Sequence, residues 1–320
     1  MQQEEASRFG FESTAAQVAE GIDLAGRTAV VTGGSGGLGA ESARVLASRG
    51  ARVLIAARDV AKAEGVAAGI RKSTGNDAVE VGQLELGSLP SIRAFAAATL
   101  ARHRAIHLLL NNAGVMACPL ARTEQGFELQ FGTNHLGHFL LTGLLAPALR
   151  AGAPARVVCV SSSGHRFGPV DLDDPNYERR AYDKWGAYGQ AKTANIWHAI
   201  EIDRRLQADG VRGFALHPGG IMTELGRHLT QQDREELMAR LPPESGFKWK
   251  TVEQGAATQV WACTAPELEG RGGLYLEDCH IPGPSKDLMQ QNGYAPWALD
   301  AEAAARLWPL SEKLVGATFS

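Results

Sequence analysis

Two residues with acid–base side chains, Tyr188 and Lys192, stand four positions apart at the start of a long helical pattern. Residues four apart share a helix face, so the phenol and the ammonium can point into one pocket. A free tyrosine has a pKa of about 10, and a nearby cation favours the phenolate and lowers that value. The pair predicts a general acid and base, although one such pair can also arise by chance.

Three serines, Ser161, Ser162 and Ser163, end the apolar run VCVSSS. In open parallel sheets, ligands bind outside the carboxyl ends of the strands. A serine hydroxyl at that position can donate to a carbonyl oxygen and hold it for hydride attack. The other interpretation is that the serines only form the turn after a strand.

A glycine-rich loop, TGGSGGLG at 32–39, follows the first apolar run and precedes a helical pattern. Gly33 permits a tight turn, and Gly37 and Gly39 allow close approach of phosphates and of the helix. The helix N-terminus offers unpaired N–H groups and a positive dipole end to an anion. The loop therefore predicts a dinucleotide pyrophosphate site.

The second apolar run ends at Arg58 and Asp59, where a strand would lie over the adenosine ribose. An arginine there favours the 2′-phosphate of NADP, and an acidic residue favours NAD. Arg58 thus favours NADP(H), while Asp59 keeps NAD(H) open. A solvated residue at the start of a helix is the other interpretation of Arg58.

Apolar runs alternate with longer helical patterns, which predicts an α/β fold: a Rossmann-type, doubly wound parallel sheet of about seven strands with helices on both faces. The predicted strands are Thr28–Thr32, Ala51–Ala57, Val79–Leu84, Ile106–Asn111, Arg156–Ser161, Arg212–His217 and Gly273–Leu276. The predicted helices include Leu38–Arg49, Ser91–Arg102, Glu124–Leu149, Tyr188–Leu206 and Val252–Thr264. Residues 1–26 are expected to form an N-terminal arm, and 27–320 a single domain with a lid insert at about 224–250 and a C-terminal tail at about 277–320.

The composition limits the function. With 320 residues, 44% hydrophobic content and a net charge of -3, the chain can bury a large core and lacks the strong basic charge of a nucleic-acid-binding domain. Four scattered cysteines and the polar start MQQEEASRFG favour a cytoplasmic protein without a secretory signal. No run approaches the roughly 20 apolar residues of a membrane span.

Taken together, these motifs resemble those of the short-chain dehydrogenase/reductase family from about Leu24 to Leu276. NNAG at 111–114, YGQAK at 188–192 and HPGGIMT at 217–223 match that family's motifs in order. Stretches such as LQFGTNHLGHFLLT are closer to its retinol-dehydrogenase-like and WW-domain-containing-oxidoreductase-like branch. The resemblance implies an NADP(H)-dependent oxidoreductase that interconverts a carbonyl and an alcohol.

The resemblance also implies roles for individual residues. The implied catalytic residues are Asn134, Ser162, Tyr188 and Lys192. The expected cofactor contacts are Gly33, Ser35, Gly37, Leu38, Gly39, Arg58, Glu85, Leu86, Asn112, Ala113, Gly114, Tyr188, Lys192, Pro218, Gly219 and Thr223. Glu85 departs from the family, which often has an aspartate there. Relatives often form homodimers or homotetramers through the helices that carry Asn134 and Tyr188, and Trp197 on the second helix could face either a partner or the core.

Several features remain open at this stage. The stretch His165–Trp185 either lines the substrate mouth or packs as a surface loop, and its aromatic residues favour a fairly apolar substrate. His135 and His138 form an HxxH motif, but no third ligand suggests a metal. The charged residues around the insert, which are Arg227, His228, Lys248 and Lys250, are interpreted as a solvated face. The alternatives to the enzyme are a non-catalytic NADP(H)-binding redox sensor and a sugar-nucleotide epimerase or dehydratase.

Overall fold

The structure is a computed structural model that describes residues 2–239, 248–285 and 292–319. Parts of the predicted lid (240–247) and tail (286–291 and 320) lie outside the described residues. In the described chain, seven parallel strands form one sheet in the order β3-β2-β1-β4-β5-β6-β7, which confirms the predicted fold class. The strands are β1 (Thr28–Thr32), β2 (Arg52–Ala57), β3 (Val79–Gln83), β4 (Leu108–Asn111), β5 (Ala155–Val160), β6 (Val211–His217) and β7 (Leu274–Glu277).

Helices cover both faces of the sheet. They are α1 (Ala15–Val18), α2 (Gly37–Ser48), α3 (Val60–Thr74), α4 (Leu89–Arg102), α5 (Leu129–Phe131), α6 (Gly137–Ala151), α7 (Lys184–Leu206), α8 (Gln231–Ala239), α9 (Val252–Gly255), α10 (Ala257–Thr264) and α11 (Ala301–Val315). A π-helical stretch, Gly132–Leu136, joins α5 to α6 within the region predicted as one helix. The sequence prediction does not name α3 or α11.

Except for β3 at the edge of the sheet, the strands are largely buried on both faces, because successive side chains point into two different cores. In β1, Val30 belongs to the core that α4, α6, α7 and α11 cover, whereas Ala29 and Val31 belong to the core under α1, α2, α3 and α10. This two-sided burial explains why these strands are mostly continuous apolar runs, whereas β3, which is only partly buried, contains Glu80 and Gln83.

The first residues of the chain are packed against this framework. In α1, Thr14 and Gln17 form a capping box, and Ala15 and Val18 are buried in the core that α10 also covers. Because the helix is so short, its burial and capping must stabilise it more than its intrinsic propensity does.

The strand order reverses between β1 and β4, and the hydroxyl of Thr32 joins these two strands at their carboxyl ends. The backbone N–H groups of Asn112 and Ala113 donate to Thr32 Oγ1 at 2.9 and 3.0 Å. The side-chain amide of Asn112 donates to the carbonyl oxygen of Thr32 at 2.8 Å. The switch point of the sheet, where ligands bind in such folds, is therefore built on one buried threonine.

His138 completes this junction, and its tautomer follows from its two partners. Its Nδ1 lies 2.9 Å from the carbonyl oxygen of Asn134, which can only accept, so Nδ1 carries the proton. Nε2 then accepts from the Thr32 hydroxyl at 2.9 Å. Burial lowers the pKa of His138 to about 4, which keeps the ring neutral as this arrangement requires.

We expect Thr32→Val to lower the free energy of unfolding by about 2–3 kcal/mol, because two N–H groups lose their acceptor and His138 loses its donor. Thr28→Val is the matched control, since Thr28 lies in the same strand and its side chain makes no hydrogen bond within the described part of the chain. It should change the free energy by less than about 0.5 kcal/mol. Urea unfolding of both variants measures the difference, and equal losses would show that the junction is not a stabilising contact.

Candidate active site

A cleft of about 800 Å³ runs along the carboxyl edge of the sheet. Of the sixteen expected cofactor residues, Pro218, Gly219 and Thr223 follow β6, Tyr188 and Lys192 lie in α7, and the other eleven follow β1 to β4. Each of the sixteen lines the cleft. Asn134 does not line it but lies directly behind Gly114, where a Cβ atom would be 3.0 Å from Asn134 Oδ1.

The glycine loop leaves room that any side chain would fill. A Cβ atom on Gly39 would lie 2.4 Å from the carbonyl oxygen of Gly33 and 2.6 Å from Asn112 Nδ2. Gly33 and Gly37 have φ angles of 68° and 51°, in the left-handed region that favours glycine. The N-cap of α2, Gly36, has no side chain to satisfy the first N–H groups, which remain available to an anion.

The charged residues Arg58 and Glu85, which follow β2 and β3, contact each other at one end of the cleft. Arg58 Nη1 lies 3.5 Å from Glu85 Oε2, and the arginine side chain is 75% exposed. Asp59 is the N-cap of α3 and accepts from the N–H of Lys62 at 2.9 Å. The carboxylate of Asp59 therefore already has a structural partner.

Asn134 lies in the π-helical stretch, and its side chain is held on both sides. Its Oδ1 accepts from the N–H of Val115 at 2.8 Å, and its Nδ2 donates to the carbonyl oxygen of Val115 at 2.9 Å. The same Cβ position on Gly114 would lie 3.7 Å from Lys192 Nζ. The amide of Asn134 and the ammonium of Lys192 thus both lie next to this glycine.

Ser162, Tyr188 and Lys192 converge at the end of β5 and the start of α7. Asp183 caps α7 by accepting from the N–H groups of Trp185 and Gly186, which places Tyr188 in the second turn. A Cβ atom on Gly164 would lie 2.7 Å from the Tyr188 ring and 3.4 Å from Ser162 Oγ, so both side chains face this glycine.

Lys192 is turned toward the sheet by a backbone partner. Its Nζ donates to the carbonyl oxygen of Val160 at 2.9 Å and lies 5.6 Å from the centre of the Tyr188 ring. Ser161 Oγ donates to the carbonyl oxygen of Lys192 at 2.8 Å, which joins the strand to the helix at this point.

Burial dominates the acid–base properties of the pair. It raises the pKa of Tyr188 to about 12, with the hydrogen bond from Ser162 offsetting only part of the rise. It lowers the pKa of Lys192 to about 8, because the ammonium also loses water. The spacing of the pair predicts a lowered pKa for Tyr188, whereas in the structure this pKa is raised, because burial disfavours the phenolate.

The Pro-Gly segment after β6 is held by two contacts. His217 Nδ1 accepts from the N–H of Ser163 at 3.0 Å, and burial together with nearby cations lowers the pKa of this histidine well below its usual value. Thr223 Oγ1 accepts from the N–H of Leu225 at 3.3 Å, and its methyl group would be 3.5 Å from a Cβ atom on Gly37. The segment therefore closes over the glycine loop.

The stretch His165–Trp185 divides between the two interpretations left open. Phe167 and Trp185 line the cleft, with ring centroids 5.8 Å apart. Tyr182 instead packs inward, where its hydroxyl donates to the carbonyl oxygen of Cys118 at 2.9 Å. Asp174 accepts from the N–H groups of the chain that follows it, at 178–180, and so shapes the loop.

The structure places Lys250 and His135 in buried positions. Lys250 is not part of a solvated face: its side chain is 1% exposed, and its ammonium is paired with Asp278 at 2.5 Å. His135 is buried and bonded to Ser311 Oγ at 2.8 Å. Among the described residues, no group of three potential ligands could hold a metal ion, and within the same residues no helix is long and apolar enough to cross a membrane.

Sequence reasoning missed several residues of the cleft, including Phe11, Met116, Met222 and Trp249. Phe11 comes from the N-terminal arm, and Met222 and Trp249 are among the exposed large apolar residues. Met222 belongs to the HPGGIMT motif, and no local pattern marks the other three residues as lining a site. The apolar residues within HPGGIMT and KWK are the sequence signal that could have indicated Met222 and Trp249.

The comparisons with known proteins agree with this geometry. The family model "short chain dehydrogenase" matches residues 27–234. The chain is 42% identical to retinol dehydrogenase 13 of Homo sapiens, over 92% of this chain and 86% of that protein. It is 43% identical to human retinol dehydrogenase 12, over 92% and 88% of the two chains.

Solved structures give the same result. A protein from Mycobacterium paratuberculosis is 37% identical with a TM-score of 0.72, covering 95% of this chain and 98% of that one. The RhlG/NADP active-site complex from Pseudomonas aeruginosa is 26% identical with a TM-score of 0.64, covering 80% and 95%. The chain belongs to the short-chain dehydrogenase family, in its retinol-dehydrogenase-like branch, and is an oxidoreductase that acts on CH–OH groups.

Proposed function

We propose that the chain is an NADP(H)-dependent oxidoreductase that interconverts a carbonyl and an alcohol by hydride transfer. The observation that carries this proposal is the convergence of Ser162, Tyr188 and Lys192 at one end of a cleft whose other end is a glycine cradle. A non-catalytic redox sensor would need the cradle but not a buried phenol and ammonium beside it.

The cradle fits a dinucleotide because a Cβ atom on Gly39 would fill it and the N-cap of α2 carries no side-chain acceptor. The glycine loop would hold the pyrophosphate, and Glu85 and Leu86 the adenine side. Lys192 would hold the ribose next to the nicotinamide, and Pro218–Thr223 the nicotinamide itself.

The environment of Arg58 and Asp59 supports NADP(H) over NAD(H). Asp59 is engaged as the N-cap of α3, whereas Arg58 is exposed and, among the described residues, has one long ion-pair contact of 3.5 Å, with Glu85. A 2′-phosphate would attract the guanidinium more strongly than a carboxylate at that distance does. The relative from Pseudomonas aeruginosa was solved with NADP, which agrees with this preference.

In the reductive direction, bound NADPH would supply the hydride to the carbonyl carbon. Tyr188 gives its proton to the carbonyl oxygen, and Ser162 donates to the same oxygen and orients it. The raised pKa of Tyr188 keeps this proton in place at neutral pH. Lys192 favours the phenolate that remains, and Asn134, held by Val115, would order a water molecule that returns a proton through Lys192.

The substrate we propose is an apolar ketone, aldehyde or alcohol. Phe167, Met222 and Trp249 line the cleft and are all at least 37% exposed, so the mouth presents apolar surface to an entering molecule. The retinol dehydrogenases to which the chain is similar carry the name of an apolar alcohol, which supports this class without identifying the molecule.

The face of α6 and α7 that the family resemblance assigns to subunit contact is covered by the chain itself. The Trp308 ring of α11 lies 4.9 Å from that of Phe139, and Phe319 packs beside it at 5.7 Å. Trp197 is buried and donates to the carbonyl oxygen of Trp297 at 2.9 Å. We therefore propose that a homodimer or homotetramer uses another face.

We also propose that the protein is cytoplasmic, because its four cysteines are free and buried thiols.

We expect Tyr188→Phe to lower the turnover of an apolar ketone with NADPH by about 10²–10⁴-fold, because the proton donor is lost. NADPH affinity, measured by fluorescence titration, should change by less than about twofold, because the phenol ring is kept. Tyr294→Phe is the control, since it removes a buried hydroxyl that has no partner among the described residues. Undiminished turnover in Tyr188→Phe would refute the mechanism, and tight NADPH binding without turnover by the native chain would favour the redox sensor.

We expect Arg58→Ala to lower kcat/KM for NADPH by about 10–100-fold and to leave kcat/KM for NADH nearly unchanged, because one charge-assisted contact to the phosphate is lost. Arg52→Ala is the control, since Arg52 stands at the opposite end of the same strand. Initial rates with both cofactors give the ratio. An unchanged ratio would show that Arg58 does not bind the 2′-phosphate.

The two directions of the reaction should depend differently on pH. Because the pKa of Tyr188 is raised to about 12 and Lys192 keeps its charge below about pH 8, carbonyl reduction should stay level between about pH 6 and 7.5. Alcohol oxidation needs the phenolate and should rise by up to about tenfold per pH unit. That rise should become shallower above about pH 8, where Lys192 loses its charge. A fall in reduction between about pH 6 and 7.5 would show that the phenol titrates much lower.

A further inference from the structure

The start of the N-terminal arm, from Gln2 to Glu5, covers the outer edge of β7. Gln2 Nε2 donates to the carbonyl oxygen of Tyr275 at 2.9 Å, and Gln2 Oε1 accepts from the N–H of Tyr275 at 3.0 Å. One side-chain amide thus makes the pair of bonds that a neighbouring strand would make. Glu5 continues this attachment with an antiparallel bridge to Ile281 and an ion pair with Arg271 at 2.8 Å.

From this edge the arm turns into the cleft, where Phe11 forms part of the wall. Lys250 Nζ lies 4.7 Å from the centre of the Phe11 ring. A buried ammonium at this distance is attracted to the ring face and fixes its position. The same ammonium is paired with Asp278 at 2.5 Å, so its charge is neutralised by the turn that follows β7.

The other side of Lys250 packs against the Pro-Gly segment. Its backbone N–H donates to the carbonyl oxygen of Gly220 at 2.9 Å. Gly219 has a φ angle of 105°, and a Cβ atom there would lie 2.7 Å from Lys250 Cδ. One lysine therefore holds together the arm, the segment after β6 and the turn after β7.

The sheet order tells which end of the cleft this contact occupies. Arg58 and Glu85, which follow β2 and β3, mark one end, and Asp278, which follows β7, marks the other. The phenol of Tyr188 lies between these ends, at the carboxyl edge of β5. Phe11 is therefore at the end away from the adenosine side, where a substrate extends beyond the reacting carbon.

We propose that Phe11 is a specificity-determining residue that forms the wall of the substrate pocket, and that Lys250 and Asp278 are positioning residues that hold its ring. The arm is then part of the active site. Because the charge of Lys250 is already paired, this wall selects an uncharged apolar group of the substrate over a carboxylate. This inference rests on the proposed carbonyl–alcohol reaction for its substrate.

The first test compares Phe11→Ala with Phe9→Ala in the full chain. Phe9 is the matched control, because it is also an arm residue stacked under a cation, Arg8 at 4.6 Å, but it packs on the core and does not line the cleft. We expect Phe11→Ala to raise KM for an apolar ketone by about tenfold and to change kcat by less than about threefold. NADPH affinity should stay within about twofold of the native value. Equal kinetics in the two variants, or a loss of NADPH affinity in Phe11→Ala, would overturn the proposal.

A second measurement separates this inference from the proposed reaction. Nile red, an uncharged apolar dye, is titrated into the native chain, Phe11→Ala and Phe9→Ala without cofactor. Weaker dye binding in Phe11→Ala alone, by about fivefold, would support the wall even if no carbonyl substrate were turned over. Turnover by the native chain with equal dye binding and equal KM in both variants would leave the reaction standing and refute the wall.

The role of Lys250 is tested by a double-mutant cycle. Lys250→Met should raise KM about as much as Phe11→Ala, because the ring loses the cation that positions it. The double variant should be no worse than either single variant, since both changes remove the same contact. Additive increases in KM would show that Lys250 acts separately from Phe11.

Discussion

The hydroxyl of Thr32 holds the two strands between which the cleft opens. It accepts from two backbone N–H groups of the NNAG turn and donates to His138, so all three of its hydrogen-bonding positions are used. His138 in turn donates to the carbonyl oxygen of Asn134 in the π-helical stretch. The glycine loop, the NNAG turn and Asn134 are therefore placed relative to one another by a single chain of buried hydrogen bonds, in which each loss leaves a polar group unpaired.

Burial also determines the pKa values of Tyr188 and Lys192 in the cleft. The phenol of Tyr188 and the ammonium of Lys192 both lose water, and each is pushed toward its neutral form. A neutral phenol can donate its proton to the carbonyl oxygen of the substrate as that oxygen gains negative charge. A lysine with a pKa of about 8 changes its charge within a small range of pH, so it can pass a proton without holding it tightly.

The substrate end of the cleft is assembled from segments that are far apart in the chain. Lys250 contacts the arm, the Pro-Gly segment and the turn after β7 at once, and its charge is buried only because Asp278 meets it there. Buried ion pairs contribute little net stability, but they fix one arrangement of their neighbours. This contact agrees with a scaffold in which the sheet provides the shared chemistry and the surrounding loops select the molecule.

Local sequence determined much of this protein. Continuous apolar runs predicted most of the parallel strands, because both faces of these strands are buried, unlike the edge strand β3. The glycine spacing predicted the cradle, because a side chain at Gly39 would collide with the turn. The Tyr188–Lys192 spacing predicted a shared face, because helix geometry is local. Helix α3 was harder to predict, since Gly65 and Gly69 weaken its pattern.

Tertiary structure alone decided which charges are buried and which distant residues meet. In sequence, Lys250 is one of several cations around a polar insert, and its contacts with Asp278, 28 positions away, and with Phe11 become visible only in the fold. The high pKa of Tyr188 depends on how completely α7 and the turn after β5 exclude solvent, which spacing does not show. Phe11 reaches the cleft because the arm follows the edge of β7. Burial and long-range contact are properties of the packed chain, so no local pattern of residues could have predicted them.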